Sequence, residues 1–220
     1  MIELSKTEKS YRRGAEDVRA LRGVDLSVDK EELLAITGPS GAGKTTLLHI
    51  LGCLDQPTSG EVLIDGVDVS RLPEAELVKL RRDKIGFVFH QFYLIPGLSV
   101  FDNIALPLLF SKKPASPEKI TRLAEMVGLE HRLEHVPSQL SGGEMQRTAI
   151  ARGLVNEPEI LLADEPTGNL DSDNSEKIFE ILRSLRHNGL TIVMITHNLE
   201  LATRADRTVH IKDGLVHTKN

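Results

Sequence analysis

Four short apolar runs recur along this chain of 220 residues, the first followed by a glycine-rich turn and the other three directly by polar residues. They are Leu33–Thr37 (LLAIT), residues 85–89 (IGFVF), residues 160–163 (ILLA) and Thr191–Ile195 (TIVMI). Continuous apolar runs of this length are typical of strands that are buried on both faces of a parallel sheet. Ligands bind beyond the carboxyl ends of such strands. We therefore expect the residues that follow the four runs to meet at one edge of a sheet.

Other stretches alternate between apolar and polar positions, which is the pattern of strands with one exposed face. Residues 20–28 and 61–65 alternate near the N terminus. Residues 208–217 alternate on both sides of Asp213-Gly214, which is a hairpin signal. These patterns predict antiparallel strands at the start of the chain and a closing hairpin.

Helical periodicity predicts helices over residues 44–54 and 174–187. Residues 99–156 contain no convincing strand, and Ser116-Pro117-Glu118 combines a cap residue, a first-turn proline and an early acid, as at a helix start. The apolar side of the first helix is predicted to be formed by Leu47, Leu48, Ile50, Leu51 and Leu54.

Together these patterns predict an α/β fold with a parallel-sheet core, an N-terminal antiparallel β subdomain and a helical insertion. Residues 1–220 are expected to form a single domain, with the insertion over about residues 97–157.

Composition narrows the class of protein. The chain is 40% apolar and 27% charged with a formal net charge of -5, so it is globular and offers no broad basic surface for nucleic acid. No run approaches 18 apolar residues, and the first residues lack a secretory signal pattern. The single cysteine, Cys53, excludes an intrachain disulfide and a cysteine-based metal site. We expect a protein of the reducing cytosol.

Residues 38–45 (GPSGAGKT) match the phosphate-loop pattern G-x-x-x-x-G-K-[ST] between a predicted strand and a predicted helix. Glycines let consecutive backbone N–H groups curl around an anion at a helix N-terminus. Lys44 is expected to be solvent-accessible and to contact the β and γ phosphates, and the Thr45 hydroxyl is a hard ligand for Mg²⁺. A chance match in this length has a probability of about one in a hundred. The predicted nucleotide contacts are Gly38, Pro39, Ser40, Gly41, Ala42, Gly43, Lys44, Thr45 and Thr46.

Asp164 and Glu165 directly follow the run ILLA. Two acids after a strand are weak on their own, but beside a phosphate loop they form a hydrolytic site. Asp164 can hold Mg²⁺ through water, and Glu165 can orient and deprotonate the attacking water. Glycoside-type chemistry is disfavoured, because adjacent side chains point in different directions.

The segment of residues 140–147 (LSGGEMQR), here called the signature segment, resembles the LSGGQ signature of the ABC ATPase family. Glu144 stands where that family often has glutamine. The resemblance implies that Ser141, Gly142, Gly143 and Glu144 close over ATP held by a second copy of the chain, in a head-to-tail homodimer. A capped helix start with two glycines is the alternative interpretation.

Further positions match the family one by one. Tyr11 resembles the aromatic residue that stacks on adenine, although a half-buried strand aromatic would look the same. The segment Asn169-Leu170-Asp171 resembles the one that lines the dimer interface, with Asp171 among the nucleotide contacts. His197, after a predicted buried strand, resembles the histidine that contacts the γ phosphate.

One position departs from the family pattern. The residue after IGFVF is normally a glutamine that touches Mg²⁺ and the attacking water, and here it is His90, with Gln91 following. Histidine can carry a proton and is a poor magnesium ligand, because magnesium prefers oxygen. Either Gln91 takes over through a one-residue shift of the loop, or His90 serves with altered coupling. We favour His90 in a weakened role, at both the catalytic and the metal position.

Residues 52–66, 79–96 and 163–171 resemble the branch of the family that contains the lipoprotein-release ATPase LolD, the MacB exporter ATPase and FtsE. This resemblance implies ATP and Mg²⁺ as ligands. It also implies a separate membrane permease, similar to MacB, LolC or FtsX, that holds the chain at the inner face of the membrane. The docking groove would include residues 92–110, although this apolar segment could instead only fill the core.

Rival classes fit less well. A DNA-repair type would need a long insertion between Lys44 and Ser141, a translation type would carry two cassettes, and a GTPase would carry N-K-x-D. A regulatory or catalytically weakened cassette, similar to FtsE, remains as the alternative because of His90.

Overall fold

The two kinds of strand pattern belong to two different sheets. The computed structural model describes residues 1–14, 16–111, 114 and 116–218. The strands are β1 Ile2–Arg13, β2 Glu16–Val28, β3 Leu33–Thr37, β4 Ser59–Ile64, β5 Val67–Asp68, β6 Ile85–Val88, β7 Ile160–Asp164, β8 Thr191–Ile195, β9 Arg207–Lys212 and β10 Leu215–Thr218. The helices are α1 Lys44–Leu51, α2 Glu74–Lys84, α3 Val100–Ser111, α4 Pro117–Met126, α5 Gly142–Leu154, α6 Ser172–His187 and α7 Leu199–Thr203.

The larger sheet has six strands in the order β10-β9-β3-β8-β7-β6. Strands β9, β3, β8, β7 and β6 are parallel neighbours, and β10 returns antiparallel to β9 as the closing hairpin. The smaller sheet is antiparallel, in the order β2-β1-β4-β5. The predicted parallel core, N-terminal antiparallel subdomain and closing hairpin are confirmed.

Successive residues of the parallel strands face two separate hydrophobic cores, because side chains alternate across a strand. In β3, Leu33 and Ala35 belong to the core shared with the helical insertion and α6. Leu34 and Ile36 belong to the core shared with α1 and the antiparallel sheet. Burial on both faces explains why β3, β7 and β8 are apolar at nearly every position.

The helical insertion lies between β6 and β7 and contains α3, α4 and α5, with short 3₁₀ turns at Glu130–Arg132 and Pro137–Gln139. As predicted, Ser116 caps α4 by accepting a hydrogen bond from the backbone N–H of Lys119, and Pro117 is the first helical residue. Within the described residues, no helix is long and apolar enough to cross a membrane.

In the N-terminal half, the predicted end of the first helix needs correction, and one helix was not predicted. Helix α1 ends at Leu51, and the chain then turns through Gly52 and Cys53, which has a φ of 54°. Leu54, predicted to be buried, is 45% exposed. The sequence pattern also did not single out helix α2, since Leu77 is its single buried residue among those described and one residue has no period.

Candidate functional site

The residues that follow the parallel strands do meet at one edge of the larger sheet. The phosphate loop follows β3, His90 follows β6, Asp164 ends β7, and His197 follows β8. Direct contacts join them: Thr45 to Asp164, Glu165 to His197, and His90 to the Glu165 backbone. The topology of the sheet therefore gathers a phosphate loop, two carboxylates and two imidazoles in one place.

Two glycines of the phosphate loop are required by close backbone approaches. Gly38 has a φ of 150°, and a Cβ there would lie 2.1 Å from the carbonyl oxygen of Ile211. Gly43 has a φ of 103°, and its Cβ would lie 2.5 Å from the carbonyl oxygen of Ala20. Gly43 is also the N-cap of α1, and no described side chain caps that helix. The first N–H groups of α1 are therefore available to an anion.

Lys44 is held inside the loop rather than extended into solvent. It is 6% exposed, and its ammonium donates to the carbonyl oxygens of Gly38 and Pro39 at 2.9 Å each. The expectation of a solvent-accessible lysine is therefore wrong. An ammonium has three N–H donors, so one remains for a phosphate while two brace the loop.

The oxygens that suit a divalent cation lie between the loop and β7. The Thr45 hydroxyl donates to Oδ2 of Asp164 at 3.4 Å. Burial, followed by the charge of Glu165, raises the pKa of Asp164. A cation at this position would relieve both effects, and hydroxyl and carboxylate oxygens are the ligands Mg²⁺ prefers. Among the described residues, no group of three or more His, Cys, Asp and Glu could hold a metal. The Thr45 hydroxyl and the Asp164 carboxylate are oxygen donors that would suit a Mg²⁺ ion.

Glu165 and His197 form a close pair. Nε2 of His197 lies 2.6 Å from Oε1 of Glu165. The Glu165 backbone has a φ of 49°, a conformation that L residues rarely adopt and that is often found at functional sites. Its N–H donates to the Ile195 carbonyl at 3.0 Å, and its carbonyl accepts from the Gly168 N–H at 3.1 Å. These bonds hold the strained carboxylate-bearing residue at the end of the strand.

His90 is turned toward this pair, and Gln91 is exposed. Nδ1 of His90 lies 3.4 Å from the Glu165 carbonyl oxygen. The His90 ring packs on Gly168, where a Cβ would come within 2.6 Å of the ring. The Asn169 amide donates to the His90 carbonyl at 3.2 Å. His90, rather than Gln91, contacts the segment around Glu165 in this structure.

Tyr11 is anchored beside the phosphate loop. Its hydroxyl donates to Oδ2 of Asp55 at 2.8 Å, and the Lys9 ammonium lies 5.0 Å from the centre of its ring. Lys9 also donates to Oδ1 of Asp55 at 2.5 Å. Burial, together with the bond to Asp55, raises the pKa of the phenol, and the Thr46 hydroxyl opposes this. Asp55 therefore holds both the Tyr11 ring and the Lys9 ammonium that lies over that ring.

The signature segment is organised by its own side chains. Ser141 is the N-cap of α5, and Ser141 and Glu144 form a reciprocal capping box. Oε2 of Glu144 accepts from both the backbone N–H and the hydroxyl of Ser141, at 2.8 Å each, and Oε1 accepts from Arg132 at 2.9 Å. The backbone hydrogen bond from Ser141 is the main reason that the pKa of Glu144 falls to about 2.

The two signature glycines pack against the segment that follows Glu165. A Cβ on Gly142 would lie 3.4 Å from Leu170, and a Cβ on Gly143 would lie 2.5 Å from Oδ1 of Asn174. Asp171 caps α6 by accepting from the Asn174 N–H at 2.8 Å, which is the first cause of its lowered pKa. The Asp171 carboxylate therefore serves as a helix cap in the single chain.

Sequence reasoning missed Asp55, Lys9, Arg132 and Asn174. The spacing S-x-x-E at Ser141 and Glu144 signals a capping box and could have been recognised. The pairing of Lys9 with Asp55 joins residues 46 apart, and no local pattern reports it.

Comparison with known proteins gives a consistent result. The family model described as ABC transporter matches residues 21–168. An uncharacterized ABC transporter ATP-binding protein of Thermotoga maritima is 49% identical over 218 residues, which cover 98% of this chain and 93% of that protein. The macrolide export ATP-binding/permease protein MacB of Chlorobium luteolum is 50% identical over 218 residues, and this chain spans 33% of its length.

A solved structure is also similar over the whole chain. It is the dimeric post-hydrolysis state of the ATP-binding cassette MJ0796 bound to ADP and Pi, with a TM-score of 0.92 and 45% identity. The alignment covers 100% of this chain and 98% of that one. MJ0796 of Methanocaldococcus jannaschii is itself an uncharacterized ABC transporter ATP-binding protein, 48% identical over 223 residues, 98% of this chain and 95% of that protein.

Proposed function

Because this chain belongs to the ABC transporter family and is one of its ATPases, we propose that two copies bind ATP between them and that hydrolysis drives a separate membrane permease. The observation that carries the proposal is the convergence of the phosphate loop, Asp164, Glu165 and His197 at one sheet edge. The chain, residues 1–220, would act as one cassette at the inner face of the cell membrane.

In the proposed reaction, a water molecule attacks the γ phosphorus and the bond to the β–γ bridging oxygen breaks, so that ADP leaves with the electron pair. Glu165 accepts the proton of the water, because its carboxylate is the acceptor that the strained backbone holds at the strand end. His197, 2.6 Å from that carboxylate, orients it and contacts the γ phosphate. Lys44 and the first N–H groups of α1 bind the phosphates.

Mg²⁺, when bound, would neutralise phosphate charge during the transfer. Thr45 and Asp164 are the residues that would hold it, and their oxygens fit that ion. His90 lies at the same edge and would take a weakened role at both the catalytic and the metal position, because an imidazole is a poorer magnesium ligand than a glutamine oxygen. Tyr11 would stack on the base with its ring fixed by Asp55.

The proposed homodimer follows from the position of the signature segment. Ser141 and Glu144 bond to each other, and Glu144 also accepts from Arg132. A second anion site at the start of α5 would complete a nucleotide held by another copy. The dimeric state of the solved relative bound to ADP and Pi supports this arrangement.

The proposed docking site for the permease is a groove of about 540 Å³ between α2, α3 and α5. Its lining includes Leu54, Phe87, Phe89, Tyr93, Pro107 and Phe110. Tyr93 is 61% exposed and Phe110 is 74% exposed, and exposed apolar patches of this kind mark interaction sites. Arg152 donates to the carbonyl oxygens of Phe92 and Tyr93 and so ties the groove to α5.

The occupant that we propose is a short cytoplasmic helix of a membrane permease. Relatives named ATP-binding/permease proteins carry both activities in one chain, and this chain matches a third of their length. A photo-crosslinking amino acid at Phe110 should capture a polytopic membrane protein in cells, whereas one at Val67, which is also exposed, should not. Capture of a soluble protein only, or equal capture at both positions, would argue against the groove.

A regulatory cassette that signals through a membrane partner is the second candidate, favoured by the histidine at position 90. The two candidates differ in turnover. Steady-state ATP hydrolysis that rises when the permease is added supports transport, and turnover that stays near zero with the permease present supports the regulatory function.

The shared site is tested with Glu165→Gln. We expect this variant to form a stable dimer in Mg-ATP, because the proton acceptor is lost while the contacts of Ser141 remain, and the unaltered chain to be mainly monomeric. Size-exclusion chromatography with light scattering measures it, with the exposed Glu134→Gln as the matched control. A Glu165→Gln chain that stays monomeric at millimolar ATP would exclude the shared site.

A further inference from the structure

The hydroxyl of Ser141 is already committed within its own chain. It donates to Oε2 of Glu144 at 2.8 Å and accepts from the Glu144 backbone N–H at 3.3 Å. The Glu144 side chain is 13% exposed, and its other oxygen is held by Arg132 at 2.9 Å. The carboxylate therefore occupies both donors of Ser141, at the N-terminal end of α5 where an incoming phosphate would bind.

The single proton of the Ser141 hydroxyl limits what the hydroxyl can bind. A serine hydroxyl has one proton, and a carboxylate only accepts hydrogen bonds. While that proton points to Glu144, the hydroxyl presents a lone pair to any approaching phosphate oxygen, and two acceptors repel each other. Ser141 can donate to a phosphate only after its hydroxyl leaves Glu144. The bond that must break is strong, because hydrogen bonds to a charged acceptor are stronger than those to a neutral one.

We propose that Glu144 is a positioning residue that holds the only hydroxyl proton of Ser141 and so raises the ATP concentration at which two copies close on nucleotide. This inference rests on the proposed shared site. A neutral glutamine at position 144 has an amide that can donate to the serine oxygen, which releases the serine proton for the phosphate. Glutamate at position 144 therefore raises the ATP concentration that dimer formation requires, and glutamine would not.

The test uses the full chain in the Glu165→Gln background, with ATP as the probe and light scattering as the readout. Glu144→Gln should lower the ATP concentration for half-maximal dimer formation about fivefold or more, since one charge-assisted bond no longer has to break. An unchanged or higher concentration overturns the proposal.

Repeating the comparison in a Ser141→Ala chain distinguishes this mechanism from a general effect of removing a negative charge. With Ser141→Ala there is no proton to hold, so Glu144→Gln should then give no gain. A gain that persists at full size in the Ser141→Ala chain overturns the proposal. If the Glu165→Gln chain does not dimerise with either residue at position 144, the shared site itself fails. If it dimerises with both at the same ATP concentration, the Glu144 proposal alone fails.

Discussion

Lys44→Ala is expected to weaken both ATP binding and the fold. The Lys44 ammonium donates to the carbonyl oxygens of Gly38 and Pro39 at 2.9 Å, and the residue is 6% exposed. Alanine removes the donor of both bonds, the positive charge and the packed stem. If Lys44 only extended into solvent, its replacement would lower ATP affinity and leave the free energy of unfolding unchanged.

The magnitudes follow from these contacts. Hydrogen bonds from a charged donor contribute about 1.5–3 kcal/mol, but Pro39 is exposed and its carbonyl can rebond to water. We therefore expect the free energy of unfolding to fall by about 1–3 kcal/mol, at roughly 2–4 °C of melting temperature per kcal/mol. Loss of the third donor to the phosphates should reduce ATP affinity by roughly ten- to a hundredfold.

Calorimetry and thermal unfolding of Lys44→Ala and Lys44→Met separate these contributions. Methionine keeps most of the apolar stem without the charge, so it should recover part of the stability and none of the affinity. Unchanged ATP affinity in either variant would refute the assignment of the loop. Full stability together with lost affinity in Lys44→Ala would refute the bracing role of the ammonium.

Three further predictions concern the other groups of the site. His90→Gln should raise ATP turnover by up to about tenfold, which corresponds to about 1.4 kcal/mol, and Gln91→Ala should leave it near the original rate. Steady-state rates that show the reverse would assign the role to Gln91. Asp55→Ala should raise the KM for ATP by roughly three- to tenfold with an unchanged kcat, because the Tyr11 ring loses the hydrogen bond that anchors it. A fall in kcat at constant KM would contradict this expectation. Gly143→Ala should prevent ATP-driven dimer formation through its clash with the Asn174 amide, and Asn174→Ala in the same chain should restore it by light scattering. A double variant that stays monomeric would show that the clash is not the cause.

The elements whose bounds were predicted most closely from sequence are strands buried on both faces. Strands β3 and β8 have the bounds expected from their apolar runs, and the edge where their polar residues meet follows from parallel topology. Helix α2 was missed because Leu77 is the one buried residue that it has among those described, so the helix lacks a repeating apolar face.

The environment of individual site residues could not be predicted. The burial of Lys44 depends on how the loop curls around its own ammonium, and the exposure of Leu54 depends on a turn at Cys53 with a left-handed backbone. Distant partners decide the rest: Arg132 reaches Glu144, and Asp55 reaches Tyr11 across 44 residues. Sequence periodicity carries no information on such pairs.

Helix α5 has one further consequence. It begins at the capping box of the signature segment, and Arg152, near its other end, holds the loop of Phe92 and Tyr93. Thirteen residues make a straight rod of about 20 Å. The groove loop and Ser141 are therefore joined by one continuous hydrogen-bonded helix. In the proposed dimer, a partner that contacts this loop would act through α5 on the signature segment.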